Sequence, residues 1–453
     1  MKDKYGKTLI ACYLGFITQA IAANFAPLLF LTFKRTYGIP ISEIAFISTT
    51  FFFTQLLIDL FCAKFVDRIG YGNEKVADAI AEQAHKLPFI GPGYAVDVKS
   101  ELARKIIELA PDNMGKVFFT LGGADANENA LKIARLYTGR NKVFSRYRSY
   151  HGSTMGAGNL TGEPRRFNCE TNGVSGYIKF FDPYIYREPI EFKSEAEATK
   201  YYLAKLREQI IYENPETVAA IECETITGSN GCIIPPDGYL QGIRDICDEF
   251  GIMMICDEVM MGWGRTGEYF AFQNWDVKPD LVSFAKGVTC GYAPLGGVIV
   301  SKKIAEYFDD HKLLCGLTYS GHPLSCAAGV ATLDVYKEEK LVENSKAMGK
   351  ILGEILEELK RKHPCVGDVR YKGLFSALEL VKDKATKEPL VEYNSDPDNT
   401  MGKIIGSLKK KGFSTYSHEN CIIVAPPLII KEDELRAAMD IMDEVLGEVD
   451  KMI

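Results

Sequence analysis

Two side chains of opposite charge, Asp257 and Lys286, each follow a short apolar segment of the sequence, MMIC before the aspartate and LVSFA before the lysine. Such segments predict buried parallel strands, and ligands of open α/β sheets bind at the carboxyl ends of those strands. A lysine there is a candidate for a covalent bond to a carbonyl carbon, and a carboxylate is a candidate partner for a ring nitrogen. A buried structural ion pair would give the same pattern, so these two residues alone leave both interpretations open.

A glycine-rich turn lies closer to the amino terminus, in the segment KVFFTLGGADANENALKIARLY. An apolar strand, two glycines and a run of strong helix formers are typical of a phosphate-binding turn, because free backbone N–H groups and the positive end of the helix dipole meet there. Gly123 and Ala124 would supply those N–H groups. An ordinary turn without a ligand has the same local sequence, so this interpretation also stays open.

Three further segments place polar or aromatic residues beside predicted strands. In FSRYRSYHGSTMG, Tyr150 and His151 follow a strand, and the tyrosine would either stack on a planar ligand or pack at the strand end. Glu224 closes the apolar strand VAAIECE and is either solvated or a polar ligand of the site. Thr318 precedes a Gly-His-Pro turn and a helix of small residues, where close packing is the simplest explanation.

Length, charge and composition restrict the class of protein. The chain has 453 residues, a net charge of -7 and no basic segment or zinc-ligand spacing, which argues against a nucleic-acid-binding protein, and no residue is assigned to a metal. Its 12 cysteines lack the pattern of a secreted domain and favour a reducing, cytoplasmic compartment. From Gly70 onward, amphipathic helices alternate with short apolar strands, which predicts an α/β fold.

Changes in composition divide the chain into three predicted domains, residues 1–69, 70–332 and 333–453. The second carries all the motifs described above. In the third, long charged helices surround short strands such as GLFSALELV and CIIVAPPL, which predicts a smaller carboxyl-terminal α/β domain.

The first domain differs in character from the rest of the chain. Residues 8–33 contain no charged side chain and residues 44–63 contain only Asp59, so a hairpin of two membrane-spanning helices is predicted, with a signal peptide as the alternative for the first segment. Flanking lysines and arginines place both ends in the cytoplasm, so that the hairpin would tether a cytoplasmic enzyme domain to a membrane. The segment TQLLIDLFCAKFVDRIGY resembles the second transmembrane helix and following loop of major facilitator transporters.

Downstream of this hairpin, the order of the motifs resembles the class III aminotransferases, pyridoxal-phosphate enzymes of fold type I. Their phosphate-turn pattern Ser-Gly-Ala-Glu-Ala-Asn-Glu stands here as GGADANE from Gly122, and their Tyr-His-Gly begins at Tyr150. Their Asp-Glu-Val begins at Asp257, ahead of a Gly-x-Gly-Arg-Thr-Gly segment, and their lysine is Lys286. The resemblance implies a large domain with a parallel-rich sheet followed by a smaller α/β domain.

The resemblance implies that four residues contact the cofactor ring. Lys286 would bind pyridoxal phosphate covalently and later transfer protons, and Asp257 would keep the ring nitrogen protonated. Val259 and Tyr150 would cover the two faces of the ring. Lys286 and Asp257 are therefore the residues assigned to catalysis.

The remaining cofactor contacts follow from the same resemblance. Gly123 and Ala124 would hold the phosphate, and Thr318 would reach it from the second subunit of a homodimer. His151 and Glu224 would complete the cofactor site. A shared site of this kind implies a dimer.

Substrate-binding residues are harder to assign. Ile423 stands where ornithine- and aminobutyrate-type members carry an arginine that pairs with a carboxylate at the position of Glu224, and Tyr416 stands where pyruvate-dependent members often carry another. The segment TGEPRRF offers Arg165 and Arg166 as other cations, although solvated loop arginines would have the same sequence. Arg166 and Glu224 are assigned to the substrate.

The segments around these motifs are most similar to taurine:2-oxoglutarate and taurine:pyruvate aminotransferases. They imply transfer of the amino group of an ω-amino compound, such as taurine or β-alanine, to a 2-oxo acid, 2-oxoglutarate or pyruvate, which leaves an aldehyde. Two alternatives stay open. One is an aminomutase of the same fold, and the other is an inactive chimera of a transporter fragment and an aminotransferase that lacks the family's usual first residues.

Overall fold

The computed structural model describes residues 72–170 and 173–453. Residues 75–453 form one compact unit that contains two β-sheets. The strands are β1 Met114–Thr120, β2 Lys142–Arg146, β3 Tyr177–Phe180, β4 Val218–Glu224, β5 Met253–Asp257, β6 Leu281–Phe284, β7 Gly296–Ser301, β8 Val366–Lys372, β9 Phe375–Asp383, β10 Glu388–Pro389, β11 Ser417–His418 and β12 Cys421–Val424.

The larger sheet has the strand order β1-β7-β6-β5-β4-β2-β3. Its strands run parallel except for β7, which is antiparallel to both of its neighbours. The smaller sheet is antiparallel, with β9 paired to β8, β10 and β12, and β11 at its edge beside β12.

Helices connect the strands and cover the sheets. The α-helices of the described residues are Glu74–Lys86, Asp97–Leu109, Gly123–Thr138, Met155–Leu160, Phe167–Glu170, Glu195–Tyr212, Tyr239–Phe250, Lys302–Asp310, Pro323–Glu338, Leu341–Lys362, Thr400–Lys410 and Glu432–Val449. Short 3₁₀ helices occupy Pro164–Arg166, Ile185–Arg187, Pro215–Thr217, Ala271–Trp275 and Lys286–Val288.

The centre of the larger sheet is buried on both faces. Every residue of β4 and β5 is buried, as expected for parallel strands covered by helices on either side. Helix Gly123–Thr138 packs on this sheet through Ala126, Ala130 and other small or apolar residues. The helix ends at Gly139, whose φ of 67° lies in the left-handed region that favours glycine. Because the packing residues are mostly alanine, the helix lies close to the sheet and begins beside the strand ends.

The predicted α/β class with a largely parallel sheet is confirmed, with β7 as the exception. The predicted boundary between residues 332 and 333 falls inside helix Pro323–Glu338, and the three-domain division stays a prediction. The predicted hairpin, residues 8–33 and 44–63, lies outside the described residues. Within the described residues, every helix is too short or too polar to cross a bilayer. The ten cysteines in this part of the chain are free thiols.

Candidate active site

The carboxyl ends of the parallel strands meet at one edge of the larger sheet. Glu224 at the end of β4 is the register partner of Asp257 at the end of β5, and Lys286 lies two residues beyond the end of β6. A cavity of about 760 Å³ opens at this edge. Eight residues assigned from the sequence line it, namely Gly123, Ala124, Tyr150, His151, Glu224, Asp257, Val259 and Lys286.

The carboxylate of Asp257 is buried and accepts three hydrogen bonds. The Val259 backbone N–H donates to Oδ1 at 2.9 Å, and the Asn127 amide donates to Oδ2 at 2.8 Å. His151 Nδ1 lies 2.7 Å from the same Oδ2. These donors stabilise a negative charge in a position only 2% exposed, where an unpaired carboxylate would be strongly unfavourable. Asn127 was not assigned from the sequence, although it lies within the glycine-rich motif.

The glycine-rich turn brings backbone close to the cavity. A Cβ atom on Gly123 would lie 2.7 Å from Val259 Cγ1, and one on Gly152 would lie 2.6 Å from the Cβ of Ala124. Only glycine therefore fits these two positions without a shift of neighbouring atoms. Because Gly123 begins a helix of 16 residues, the first N–H groups of that helix have no partner within it and are available to an anion in the cavity.

Lys286 stands on a strained turn. Its φ of 46° is unusual for a residue with a side chain, and it begins the short helix Lys286–Val288. The next residue is held close to a buried indole, since a Cβ on Gly287 would lie 2.8 Å from the Cβ of Trp263. The Lys286 amine is exposed to the cavity, with Nζ 3.6 Å from Met260 Sδ. A strained backbone persists only where the packing of the surrounding residues holds it in place. Such strained residues cluster at functional sites.

Glu224 connects two loops of the cavity wall. Its Oε1 accepts from the Tyr150 backbone N–H at 3.0 Å and its Oε2 accepts from the Gly228 backbone N–H at 2.7 Å. Burial raises the pKa of the Glu224 carboxyl, and the nearby charge of Asp257 raises it further. Glu224 therefore fixes the backbone of Tyr150, while its predicted contact with the substrate remains a prediction.

Of the two adjacent arginines, Arg165 lines the cavity and Arg166 is not among the lining residues. The Arg165 guanidinium carbon lies 3.7 Å from the centre of the Tyr150 ring, and Arg165 forms an ion pair with the buried Glu163. The Arg166 guanidinium instead lies 4.8 Å from the centre of the Phe167 ring. Both arginines belong to the 3₁₀ helix Pro164–Arg166, in which successive side chains point about 120° apart. Of the two candidate cations offered by the sequence, Arg165 is the one that faces the cavity, and the assignment of Arg166 to the substrate stays a prediction.

Several residues that line the cavity were not assigned to the site from the sequence. Asn394, Tyr416 and His418 approach from the segment of the smaller sheet, and Glu163 precedes the 3₁₀ helix. Burial raises the pKa of Tyr416 to about 12 and lowers the pKa of His418, so both side chains are neutral near pH 7. The sequence could have indicated a role for Glu163, because a single residue separates this acidic residue from the two adjacent arginines.

Thr318 does not line the cavity of its own chain. It is exposed in the loop that precedes helix Pro323–Glu338. Its predicted contact with the phosphate in a second subunit therefore stays a prediction.

Comparisons with known proteins agree with this geometry. The sequence model of the aminotransferase class-III family matches residues 54–446. A crystal structure of taurine:2-oxoglutarate aminotransferase from Bifidobacterium kashiwanohense, in complex with PLP and glutamate, is 50% identical, with a TM-score of 0.82 over 84% of this chain and 86% of that one. The diaminobutyrate–2-oxoglutarate transaminase of Halomonas elongata is 34% identical over 87% of this chain and 86% of its own length. The taurine–pyruvate aminotransferase of Bilophila wadsworthia is 33% identical over 84% and 85%.

The chain belongs to the class III aminotransferases, which use pyridoxal phosphate. The predicted enzyme class and cofactor are thereby confirmed. The family match begins at residue 54, inside the predicted second span, and the comparisons give no support to a transporter-like segment or a chimera.

The residues of the cavity fit this cofactor. Asp257 offers a buried carboxylate suited to a protonated ring nitrogen, and Lys286 offers an amine in the same cavity. The helix that begins at Gly123 offers backbone N–H groups suited to a phosphate. Val259 lines the cavity with its methyl groups next to Gly123, and these methyl groups can pack on a ring.

Proposed function

We propose that this aminotransferase transfers the amino group of an ω-amino compound to a 2-oxo acid, through Lys286 and Asp257. The observation that carries the proposal is the presence of both side chains in one cavity with a single arginine, Arg165, among the described lining residues. The amine and the carboxylate suit the cofactor, and the arginine suits an acidic group at the far end of the donor.

Pyridoxal phosphate, when bound, supplies an electron sink that weakens a C–H bond next to the substrate nitrogen. Lys286 Nζ would hold the cofactor and, once the substrate amine displaces it, would accept the proton of that C–H bond and deliver it to the cofactor carbon that carries the transferred nitrogen. Asp257 would keep a proton on the ring nitrogen, and Asn127 and His151 hold the Asp257 carboxylate in place. Gly123 would hold the phosphate through its backbone N–H.

A donor with a remote acid, of the taurine or β-alanine type, is the first candidate. Positions 416 and 423 carry no cation here, since Tyr416 is neutral and Ile423 is buried in β12. Arg165 is then the cation that can bind a sulfonate or carboxylate, and its stacking on Tyr150 holds the guanidinium in the cavity. The amino acceptor would be 2-oxoglutarate or pyruvate.

A donor that ends in an α-amino acid, such as 2,4-diaminobutyrate, is the second candidate. Glu163 favours it, because this carboxylate lines the cavity, is almost fully buried and pairs with Arg165. An α-ammonium group could bind Glu163 while the α-carboxylate binds Arg165. The two candidates therefore differ in whether Glu163 contacts the substrate.

Single-turnover reactions of the full-length holoenzyme with each donor would test the proposal. Taurine or β-alanine should remove the visible absorbance of the bound cofactor, and a 2-oxo acid should restore it. We expect Glu163→Gln to accelerate the reaction of taurine by freeing Arg165, and to slow that of 2,4-diaminobutyrate if Glu163 binds the ammonium. No reaction with any ω-amino compound, together with rapid bleaching by glutamate semialdehyde, would instead indicate an aminomutase. Absence of cofactor absorbance would favour an inactive protein.

We also propose a homodimer in which Thr318 of each chain completes the phosphate site of the other, and a cytoplasmic enzyme domain. The exposed position of Thr318 supports the first proposal, and the free thiols support the second. Sedimentation of the full-length protein would test the dimer. A monomer that retains full cofactor affinity would contradict it.

A further inference from the structure

Glu222 is a buried glutamate that the mechanism above does not use. It lies in the middle of the sheet, on β4 two residues before Glu224, and therefore on the same face of the strand. That face carries Ala220, which packs with helix Gly123–Thr138. Glu222 is 0% exposed, and neither of its carboxylate oxygens accepts a hydrogen bond from the described residues.

The neighbours of Glu222 are the residues that hold Asp257. His151 Nδ1 lies 2.7 Å from Asp257 Oδ2 and 3.9 Å from Glu222 Oε1. One nitrogen of His151 and one carboxylate oxygen each of Glu222 and Asp257 lie within 4.8 Å of one another. Three N–H groups point at Asp257, whereas within the described part of the chain none points at Glu222.

Two ionised carboxylates in one buried cluster are strongly unfavourable, and the proton stays on the carboxyl that accepts fewer hydrogen bonds. That carboxyl is Glu222. Burial is the largest effect that raises the pKa of Glu222, and the charges of Asp257 and Glu128 raise it further. Lys179 and Arg135 act in the opposite direction, but both are occupied elsewhere. Lys179 donates to Ser145 Oγ and to two carbonyls, and Arg135 donates to the Asn141 carbonyl.

We propose that Glu222 is a positioning residue that stays protonated, and so keeps the cluster behind the cofactor at one negative charge, located on Asp257. The effect of Glu222 on catalysis rests on the proposed function, in which Asp257 is part of the cofactor site. An ionised Glu222 would compete with Asp257 for the proton of His151 Nδ1 and would add a second negative charge close to Asp257. The neutral acid leaves Asp257 as the single partner of the ring nitrogen.

Thermal unfolding of the full-length protein between about pH 5 and about pH 9 tests the charge state without any catalysis. In the unfolded chain Glu222 ionises above about pH 4.3, whereas the folded chain keeps the proton, so the wild type loses stability as pH rises from there toward the folded pKa. Glu222→Gln removes this loss. We expect the difference in Tm, variant minus wild type, to become more positive as pH rises.

The exposed Glu354 provides the matched control, and Glu354→Gln should give a difference in Tm that does not change with pH. A Glu222→Gln difference that is constant or falls with rising pH would overturn the proposal. If the glutamine variant does not fold, Glu222→Met serves instead, because a neutral side chain of similar length should show the same trend.

Spectroscopy of the holoenzyme gives a second test. Infrared difference spectra of wild type and Glu222→Gln should contain the C=O stretch of a protonated carboxylic acid in the wild type alone. A carboxylate band in its place would overturn the proposal. Absence of cofactor absorbance from both proteins would contradict the proposed function, and would leave the result on the charge of Glu222 standing.

Discussion

The cavity is lined by two groups of residues that differ in how the chain holds them. The strand-end group consists of Asp257 at the end of β5, Lys286 two residues beyond β6, His151 in the loop that follows β2, and Asn127 near the start of helix Gly123–Thr138. The loop group, Glu163, Arg165, Tyr416 and His418, comes from a 3₁₀ helix and from the edge of the smaller sheet.

The strand-end group is fixed by the backbone. Asp257 ends a strand in which every residue is buried, and Lys286 stands on a turn packed against Trp263. The loop group depends on contacts between side chains, such as the Arg165 guanidinium over Tyr150. We infer that the reaction type is encoded in the first group and the choice of donor in the second, so the two should respond differently to substitution.

Removal of the Lys286 amine should have the largest effect. Under the proposed mechanism, Lys286→Ala deletes the amine that would bind the cofactor and move the proton, and we expect kcat/KM to fall by at least about 10⁵-fold for every donor. Steady-state kinetics with several donors would measure it. A loss confined to one donor would contradict the division between the two groups.

Neutralisation of Asp257 should have the next largest effect. Asp257→Asn keeps the size of the side chain but removes the charge that, under the proposed mechanism, would hold a proton on the ring nitrogen, and we expect kcat to fall on the order of 10²- to 10³-fold. The loss should be equal for taurine and for other donors. A change in KM alone would show that Asp257 serves binding only.

Substitution in the loop group should change the preference for donors. Arg165→Gln removes the cation in the cavity, and we expect kcat/KM for an acidic donor to fall about 10- to 100-fold, corresponding to roughly 1.4 to 2.8 kcal/mol. A neutral amine of similar length should lose much less. Arg166→Gln is the matched control, because its side chain lies over Phe167, and equal losses in both variants would contradict the assignment.

The smallest effect concerns the glycine-rich turn. Gly123→Ala places a Cβ 2.7 Å from Val259 Cγ1, and we expect the free energy of unfolding to fall by about 1 to 3 kcal/mol and cofactor binding to weaken. In Gly122→Ala the added Cβ meets nothing within 4 Å and the backbone is extended, so that variant should stay within about 0.5 kcal/mol of wild type. Chemical denaturation of both variants would measure the difference.

The same contrast explains what the sequence could predict. Asp257 and Lys286 follow apolar strands, and the ends of parallel strands meet at one edge of a sheet. Local patterns were therefore sufficient to predict that these two side chains lie close together. The family resemblance had drawn attention to Tyr416, but His418 was not named, and both residues reach the cavity through long-range packing, which no local pattern encodes. The sequence offered both Arg165 and Arg166, and it could not show that Arg165 is the one that faces the cavity, because the phase of a three-residue 3₁₀ helix is not visible in the sequence.

Local sequence patterns also could not predict the direction of a strand or the surroundings of a buried side chain. The sequence of β7 has the same apolar character as the sequences of its neighbouring strands, although β7 runs antiparallel to them. Asn127 and Glu222 lie inside motifs that the sequence did reveal, but their roles depend on which atoms surround Asp257. Those contacts exist only in the folded chain.

The most direct test of the central claim is to locate the covalent bond between protein and cofactor. The full-length holoenzyme would be reduced with borohydride and digested, and the peptides would be analysed by mass spectrometry. We predict that the mass of the reduced cofactor appears on the peptide that contains Lys286. Its appearance on another lysine, or on none, would contradict the account.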